Sequence, residues 1–367
     1  MSDHKLKAVI RVDAATMIGT GHLMRCLSMA SRLRTYIGAD VTFVSRDLPG
    51  NLFPLIRERG FRLLELPRAE EDPSLTGYLK WLTVTEERDA DETIEALRKT
   101  TGDAGRLADL LIVDSYAIDE AWERRLRPYV SRILAVDDLA NRKHDADVLL
   151  DQNIILDHGE KAAKYRTLLS ASAELVIGPE HALLRDEFFL AKPRTRWKEI
   201  KRLLVFYGGA DATNETEKAI NAVRGLGIET DIITGGANPY REHIEDICKG
   251  SDKLHYHTQV SNMAEFMERA DLMLGAGGST TLERCYLGLP CLVTAVAENQ
   301  RAGSEEAERR GYIHYMGYAD EVTAAQLSDT IQSIASDGVL PEMSQKCRIK
   351  VNAPQQETRD VLSLMGL

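Results

Sequence analysis

At two points along this chain a short aliphatic run ends in a glycine-rich turn that opens an amphipathic helix, and this local pattern constrains the fold more than any other feature. The first is Ala8–Val12, which leads through Asp13-Ala14-Ala15-Thr16-Met17-Ile18-Gly19-Thr20-Gly21 to His22 and a helix with Leu23, Leu27, Ala30 and Leu33 on one face. The second is Leu272–Leu274, which leads through Gly275-Ala276-Gly277-Gly278-Ser279-Thr280 into a helix carrying Glu283. A strand passed to a helix through glycines is the start of a βαβ unit, and such units build parallel sheets covered by helices. Further short apolar runs predict strands at Val41–Ser45, Arg62–Leu66, Leu110–Val113 and Ile133–Val136, with short edge strands at Val148–Leu150 and Leu175–Ile177. A second series follows at Arg202–Phe206, Glu229–Thr234, Leu254–His257 and Cys291–Val296. The expected class is α/β, with two doubly wound, Rossmann-like domains facing each other across a cleft. No internal repeat or low-complexity segment interrupts it.

At 367 residues the chain is long for one core and suits two. Gly178-Pro179 breaks the first series, Ala182–Leu190 has the spacing of a short helix, and Lys192-Pro193-Arg194-Thr195-Arg196 reads as a polar connector. The expected division is 1–178 as the N-terminal domain, 179–200 as linker and 201–353 as the C-terminal domain. A final helix over 354–367, with Val361, Leu364 and Met365 at helical spacing, would pack back on the N-terminal domain. Glu86–Thr100 reads as a charged, solvated helix, and Gly235–His255 and Gly317–Met343 as added surface structure.

Composition narrows the partners. With 57 Asp and Glu against 46 Lys and Arg the chain is acidic, which argues against nucleic acid or an anionic membrane as partner. An anionic ligand would instead meet local donors such as backbone amides. The five cysteines, Cys26, Cys248, Cys285, Cys291 and Cys347, form no C-x-x-C pair and read as reduced thiols. Met1-Ser2-Asp3-His4-Lys5 passes into a strand without a signal-peptide core, and no apolar run is long enough to span a membrane. A cytoplasmic monomer acting on a small molecule is the expectation.

The first glycine loop is neither a dinucleotide fingerprint, since Met24 holds the third glycine position, nor a Walker loop, since no Gly-Lys-Ser/Thr follows. Gly19 and Gly21 permit a tight turn and close approach of a ligand. His22 stands where the helix N-terminus disfavours a further positive charge, so a neutral imidazole able to take a proton from water is expected. A histidine there can also simply cap or pack; the loop at the carboxyl end of a strand favours the base. In the second loop the amides of Gly278, Ser279 and Thr280 suit a diphosphate. Glu283, one turn on, could accept ribose hydroxyls or stand as a solvated helix residue. Gly208-Gly209-Ala210-Asp211 and Glu298-Asn299-Gln300 follow strands of the same series and should line the cleft, with Gly209 and Gln300 as binding positions. Asp89-Ala90-Asp91 and Asp145-Ala146-Asp147 imitate a D-x-D metal motif but read as solvated carboxylates, so neither a metal nor a cofactor is expected. Asp137-Asp138 follows a strand and suits a supporting role in the cleft.

As an ordered set these motifs resemble a known family. Arg11-Val12-Asp13, Gly19-Thr20-Gly21-His22-Leu23-Met24-Arg25-Cys26, Asp114-Ser115-Tyr116, Val136-Asp137-Asp138, Asp147 to Asn153, Gly208 to Asp211, Gly275 to Thr280 and Glu298 to Gln300 are similar to the UDP-2,4-diacetamido-2,4,6-trideoxy-β-L-altropyranose hydrolases of pseudaminic acid biosynthesis, often called PseG. The resemblance covers nearly the whole chain. It implies a fold like that of the GT-B glycosyltransferases, MurG included, with UDP on the second domain and sugar on the first. It also implies His22 as catalytic base, Tyr116 and Asn299 as sugar-site residues, Asp13 and Arg25 in the substrate site, and Gly277, Gly278, Ser279 and Thr280 at UDP with Glu283 on the ribose. The reaction implied is hydrolysis to free sugar and UDP. The competing readings are a GT-B glycosyltransferase, a hydrolysing 2-epimerase of the legionaminic or sialic acid type, and a non-catalytic nucleotide-sugar binding protein.

Overall fold

The computed structural model describes residues 5–101, 105–154 and 157–367. Residues 1–4, read above as leading directly into a strand, lie outside them. The strands β1 (Lys7–Val12), β2 (Asp40–Arg46), β3 (Arg62–Leu66), β4 (Ala108–Asp114), β5 (Val130–Val136), β6 (Val148–Asp151) and β7 (Glu174–Ile177) form one parallel sheet in the order β3-β2-β1-β4-β5-β6-β7. The strands β8 (Arg202–Phe206), β9 (Glu229–Thr234), β10 (Leu254–Thr258), β11 (Leu272–Ala276), β12 (Cys291–Ala295) and β13 (His314–Tyr318) form a second, β10-β9-β8-β11-β12-β13. Each sheet winds outward from its first strand and then returns to that strand's other side. The doubly wound α/β class is therefore borne out, and each sheet has a switch point, at β1/β4 and at β8/β11, where ligands of such folds bind beyond the strand ends.

The chain divides into two compact units. One comprises the chain up to Asn153 with Asp157–Leu183 and Asn352–Leu367; the other comprises Leu184–Val351 together with Ile154. In the first unit the two faces of β1 carry different cargo, because side chains alternate across a strand. Ala8, Ile10 and Val12 face Leu23, Leu27 and Ala30 of the helix Gly21–Arg32, and Leu362 and Met365 from the C-terminal end of the chain join that core. Val9 faces Ala90, Ile94 and Leu97 of the helix Glu86–Thr101. Arg11 shares that face and is fully buried, so something must answer its charge.

The answer corrects the reading of Glu86–Thr100 as a solvated helix. Asp89 is fully buried and accepts from Arg11 Nε (3.1 Å) and Nη2 (2.7 Å), Arg46 Nη2 (2.7 Å) and the Trp122 indole (3.0 Å). Burial works to raise the Asp89 pKa, but Arg11 and Arg46 outweigh it and hold the carboxyl below its ordinary range. Truncating Asp89 would break its buried pairs with Arg11 and Arg46, leaving them only Asp13 and Glu92 as ionic partners, at a cost of up to ~3–5 kcal/mol. A helix rich in charge looks solvated from composition alone; its inner face here needs a carboxylate.

Two other expectations change. Gly235–His255 and Gly317–Met343 are not surface additions. The first holds the helix Arg241–Lys249, whose Ile244 and Cys248 are buried; the second holds the helix Ala324–Asp337, whose Leu327, Ile331 and Ile334 pack with Leu203, Val205 and Ile220. β13 is a strand the sequence reading lacks, because its residues His314–Tyr318 are all half-buried and show no apolar run. The helix expected over Ala182–Leu190 is confined to Asp186–Leu190. All five cysteines are buried free thiols. Among the described residues no helix is long and apolar enough to cross a membrane.

Candidate active site

The loop after β1 is pinned at both ends. Gly19 sits at φ 83°, a left-handed conformation that glycine adopts without strain, and its N–H donates to Ala15 O (2.9 Å). The Thr16 N–H donates to Pro49 O (3.0 Å). Below the loop, Asp13 is buried; its Oδ1 accepts from the Arg46 amide (2.7 Å) and Ser45 Oγ (3.2 Å) and faces Arg11 Nη1 at 2.6 Å. The loop hands over to the helix at Gly21, which places the buried His22 in its first turn, at the β1/β4 switch point.

Asp114 ends β4, beside Val12 of β1 in the sheet register. It is the residue that organises this corner, and the sequence reading gave it no role. His22 Nδ1 lies 2.6 Å from Asp114 Oδ1, while Arg25 donates to the same carboxylate from Nε and Nη2, both at 2.6 Å. Arg25 Nη1 also reaches Asp138 Oδ2 at 3.2 Å. Burial pushes the Asp114 pKa up, but Arg25 and then His22 overcome it and hold the carboxyl well below the usual range. An ionised Asp114 can only accept, so the tautomer it favours in a neutral imidazole carries the proton on Nδ1 and the lone pair on Nε2. The arrangement can orient a base toward water. An aliphatic strand closing on an aspartate next to β1 was the signal available in the sequence.

Aromatic rings surround that imidazole. Tyr116 meets it edge-on at 4.7 Å between centroids and Trp81 at 5.7 Å; Trp81 stacks on Tyr116 at 5.3 Å, and Tyr78 touches both. Tyr78 and Trp81 lie in the 3-10 segment Gly77–Leu82, which no sequence motif marked. Burial, helped by neighbouring Asp138, pushes the Tyr116 phenol well above its ordinary pKa, so it remains a hydrogen-bond donor. Asp138 thus lies among Arg25, Tyr116 and Lys161, whose Nζ donates to the Asp138 carbonyl at 2.8 Å.

The second unit builds its switch point from backbone. A Cβ on Gly275 would stand 2.7 Å from the backbone oxygen of Phe206, which leaves no room for a side chain, and one on Gly277 would displace Ser304 Oγ. The turn closes with Thr281 N–H donating to Gly278 O (2.9 Å) and leads into the helix Thr280–Tyr286. Gly278 lies close to the Gln300 side chain, and Gln300 Oε1 in turn accepts from Val296 N–H at 3.1 Å. Gly209 lies in the turn after β8, against Gly235. Ser279 and Asn299 are exposed. Glu283 is held bidentately by Arg185, at 2.8 and 3.0 Å. The structure therefore groups His22, Arg25 and Tyr116 in the first unit, and Gly209, the Gly277–Thr280 loop and Gln300 in the second.

The aspartates of the D-x-D look-alikes are engaged elsewhere. Asp89 is in the buried cluster, Asp91 pairs with Arg125, and Asp145 and Asp147 pair with Arg127. Two open cavities of the second unit, of about 710 and 600 Å³, are lined by residues such as Trp197 and Arg269 or Tyr312 and Met343 and include none of the residues above.

Over 98% of this chain and 99% of the other, the structure superposes on MurG of Acinetobacter baumannii with a TM-score of 0.60 at 14% identity. The fold is GT-B. Residues 202–358 match the glycosyltransferase family 28 C-terminal domain, which places that domain on the GT-B half carrying the second glycine loop. The resemblance read from the motifs is also borne out. The chain is 24% identical to the UDP-2,4-diacetamido-2,4,6-trideoxy-β-L-altropyranose hydrolase of Campylobacter jejuni, over 84% of this chain and 98% of that one. It is 24% identical to an uncharacterized protein of Methanocaldococcus jannaschii over 81% of its own length, but the match spans only 57% of that protein.

Proposed function

We propose that the chain hydrolyses a UDP-linked 2,4-diacetamido-2,4,6-trideoxyhexose to the free sugar and UDP, a step of pseudaminic acid biosynthesis. Water attacks the anomeric carbon, the bond from that carbon to the β-phosphate oxygen breaks, and UDP leaves. His22 Nε2 accepts the proton of the attacking water. Asp114 fixes the tautomer and steadies the imidazolium that forms, and Arg25 keeps Asp114 ionised. Tyr116 and Asn299 contact the sugar, with Asp13 holding the loop that carries His22. Amides of the Gly277–Thr280 loop receive the diphosphate and the charge that grows on it. Glu283, oriented by Arg185, keeps lone pairs for the ribose hydroxyls.

The observation that carries this reading is the 2.6 Å contact of His22 Nδ1 with Asp114, which engages one ring nitrogen of an imidazole at a switch point. Similarity to the Campylobacter jejuni hydrolase over 98% of its length supports the substrate class. The test is incubation with a panel of UDP-sugars, following UDP release and identifying the sugar by NMR. Release confined to diacetamido-trideoxyhexose donors is expected; no release from any donor without an added acceptor would overturn the reading. The family 28 match favours a second reading, glycosyl transfer, in which UDP release depends on that acceptor.

A further inference from the structure

Two arginines of the second unit are fully buried, Arg196 and Arg284, and they are satisfied very differently. Arg196 spends its guanidinium on carbonyls, those of Met267 (2.8 Å), Ala270 (3.2 Å), Gly288 (3.0 Å), Arg194 (2.9 Å) and Leu287. These include the C-terminal ends of the helices Met263–Arg269 and Thr280–Tyr286, where partial negative charge collects. Arg284 has two acceptors, Ala276 O at 3.1 Å and Thr281 Oγ1 at 2.7 Å, and its Nε is buried with none. Among the described residues no carboxylate comes within 4.0 Å of it.

A buried charge is normally paired, because withdrawing it from water costs several kcal/mol that a neutral carbonyl recovers only in part. An arginine cannot escape by losing its proton. Its two acceptors flank the segment Gly277–Thr280, so the guanidinium lies beneath the glycine loop. Directly against that loop, Ser304 Oγ is a second buried polar atom without a partner. We propose that Arg284 is the counter-charge of a diphosphate held at Gly277–Thr280, attracting it through the loop without touching it. This rests on the assignment of that loop to the diphosphate, though not on hydrolysis. The residue acts by position and charge: the phosphates bind the amides, and the buried cation beneath strengthens that binding because little water intervenes to screen it.

The test compares binding of UDP and of uridine, by calorimetry, to the wild-type chain and to R284Q and R284K. Glutamine keeps a donor for Ala276 O and removes the charge; lysine keeps the charge and loses the fork. The expected result is that R284Q weakens UDP about tenfold and leaves uridine unchanged, while R284K stays within a few-fold of wild type. Equal losses for UDP and uridine, or an undiminished preference for UDP in R284Q, would overturn the proposal. Loss of the preference in R284K would also overturn it, in favour of a structural role for the fork, and this arm stands even if R284Q does not fold. A wild-type chain that binds UDP no better than uridine would instead sink the diphosphate assignment on which the proposal rests.

Discussion

The two sheets share a winding order and differ in what they place at the switch point. At β1/β4 the first unit sets side chains with chemistry, namely His22, Asp114 and Arg25, joined by contacts of 2.6 Å, with the Tyr116 ring 4.7 Å from the imidazole. At β8/β11 the second unit removes side chains, with Gly275 crowded by the Phe206 carbonyl and Gly277 against Ser304 Oγ. In the proposed function, one position supplies a base for a proton and the other supplies amides for an anion. Topology selects where a ligand can sit; residue choice selects what happens to it.

The largest effect should come from breaking the first of these. His22→Ala or His22→Asn should lower turnover ~10²–10⁴-fold while leaving UDP affinity as it was. Steady-state rates beside a UDP titration check both halves, and a variant with near wild-type turnover removes His22 as the base. Asp114→Asn comes next. It no longer fixes the Nδ1–H tautomer, so a loss of ~10–100-fold in kcat is expected, with little change in KM. An unchanged kcat would mean that the 2.6 Å contact is structural only.

The contrast also shows what a sequence can and cannot disclose. The glycine loops and the strands that feed them were legible because glycine pattern and aliphatic runs are local signals; β3, β8 and β9 match their expected limits. Asp114 was visible as a motif but not as the partner of His22, since the two are joined only when β4 lies beside β1. Asp89 was misread for the same reason: its partners Arg11 and Arg46 belong to strands far off in the chain. Trp81 and Tyr78 escaped notice because an aromatic pair in a short 3-10 segment has no periodicity to mark it. β13 was missed because a half-buried edge strand need not be apolar.

Two smaller effects sharpen the division of labour. UDP alone should slow hydrogen exchange at Gly275–Glu283 by mass action on the native state, and leave Gly19–His22 near its free rate. Slowing confined to Gly19–His22 would place the nucleotide on the wrong unit. The second concerns stability alone and falls at Asp151. Burial, with Asp138 nearby, lifts its pKa to about 6 despite Lys161 at 3.4 Å; Tyr165 Oη (3.0 Å) and the Asn153 amide (3.1 Å) also face it. Because the folded value is raised, its contribution to stability is present at low pH and is lost as pH rises through about 6. Asp151→Asn should therefore gain on the wild type in chemical denaturation between pH 5 and 7, by no more than ~3 kcal/mol. A difference that does not vary with pH would contradict that assignment.

The central claim is that the first unit directs water at the sugar while the second holds the departing UDP, and the fate of oxygen in H₂¹⁸O tests it most directly. With a substrate the chain turns over, the label should enter the sugar at its anomeric carbon, with inverted configuration before mutarotation, and UDP should stay unlabelled. Label in the β-phosphate of UDP would contradict the account, because water would then have attacked phosphorus at the glycine loop, and His22 would have no part in the step assigned to it.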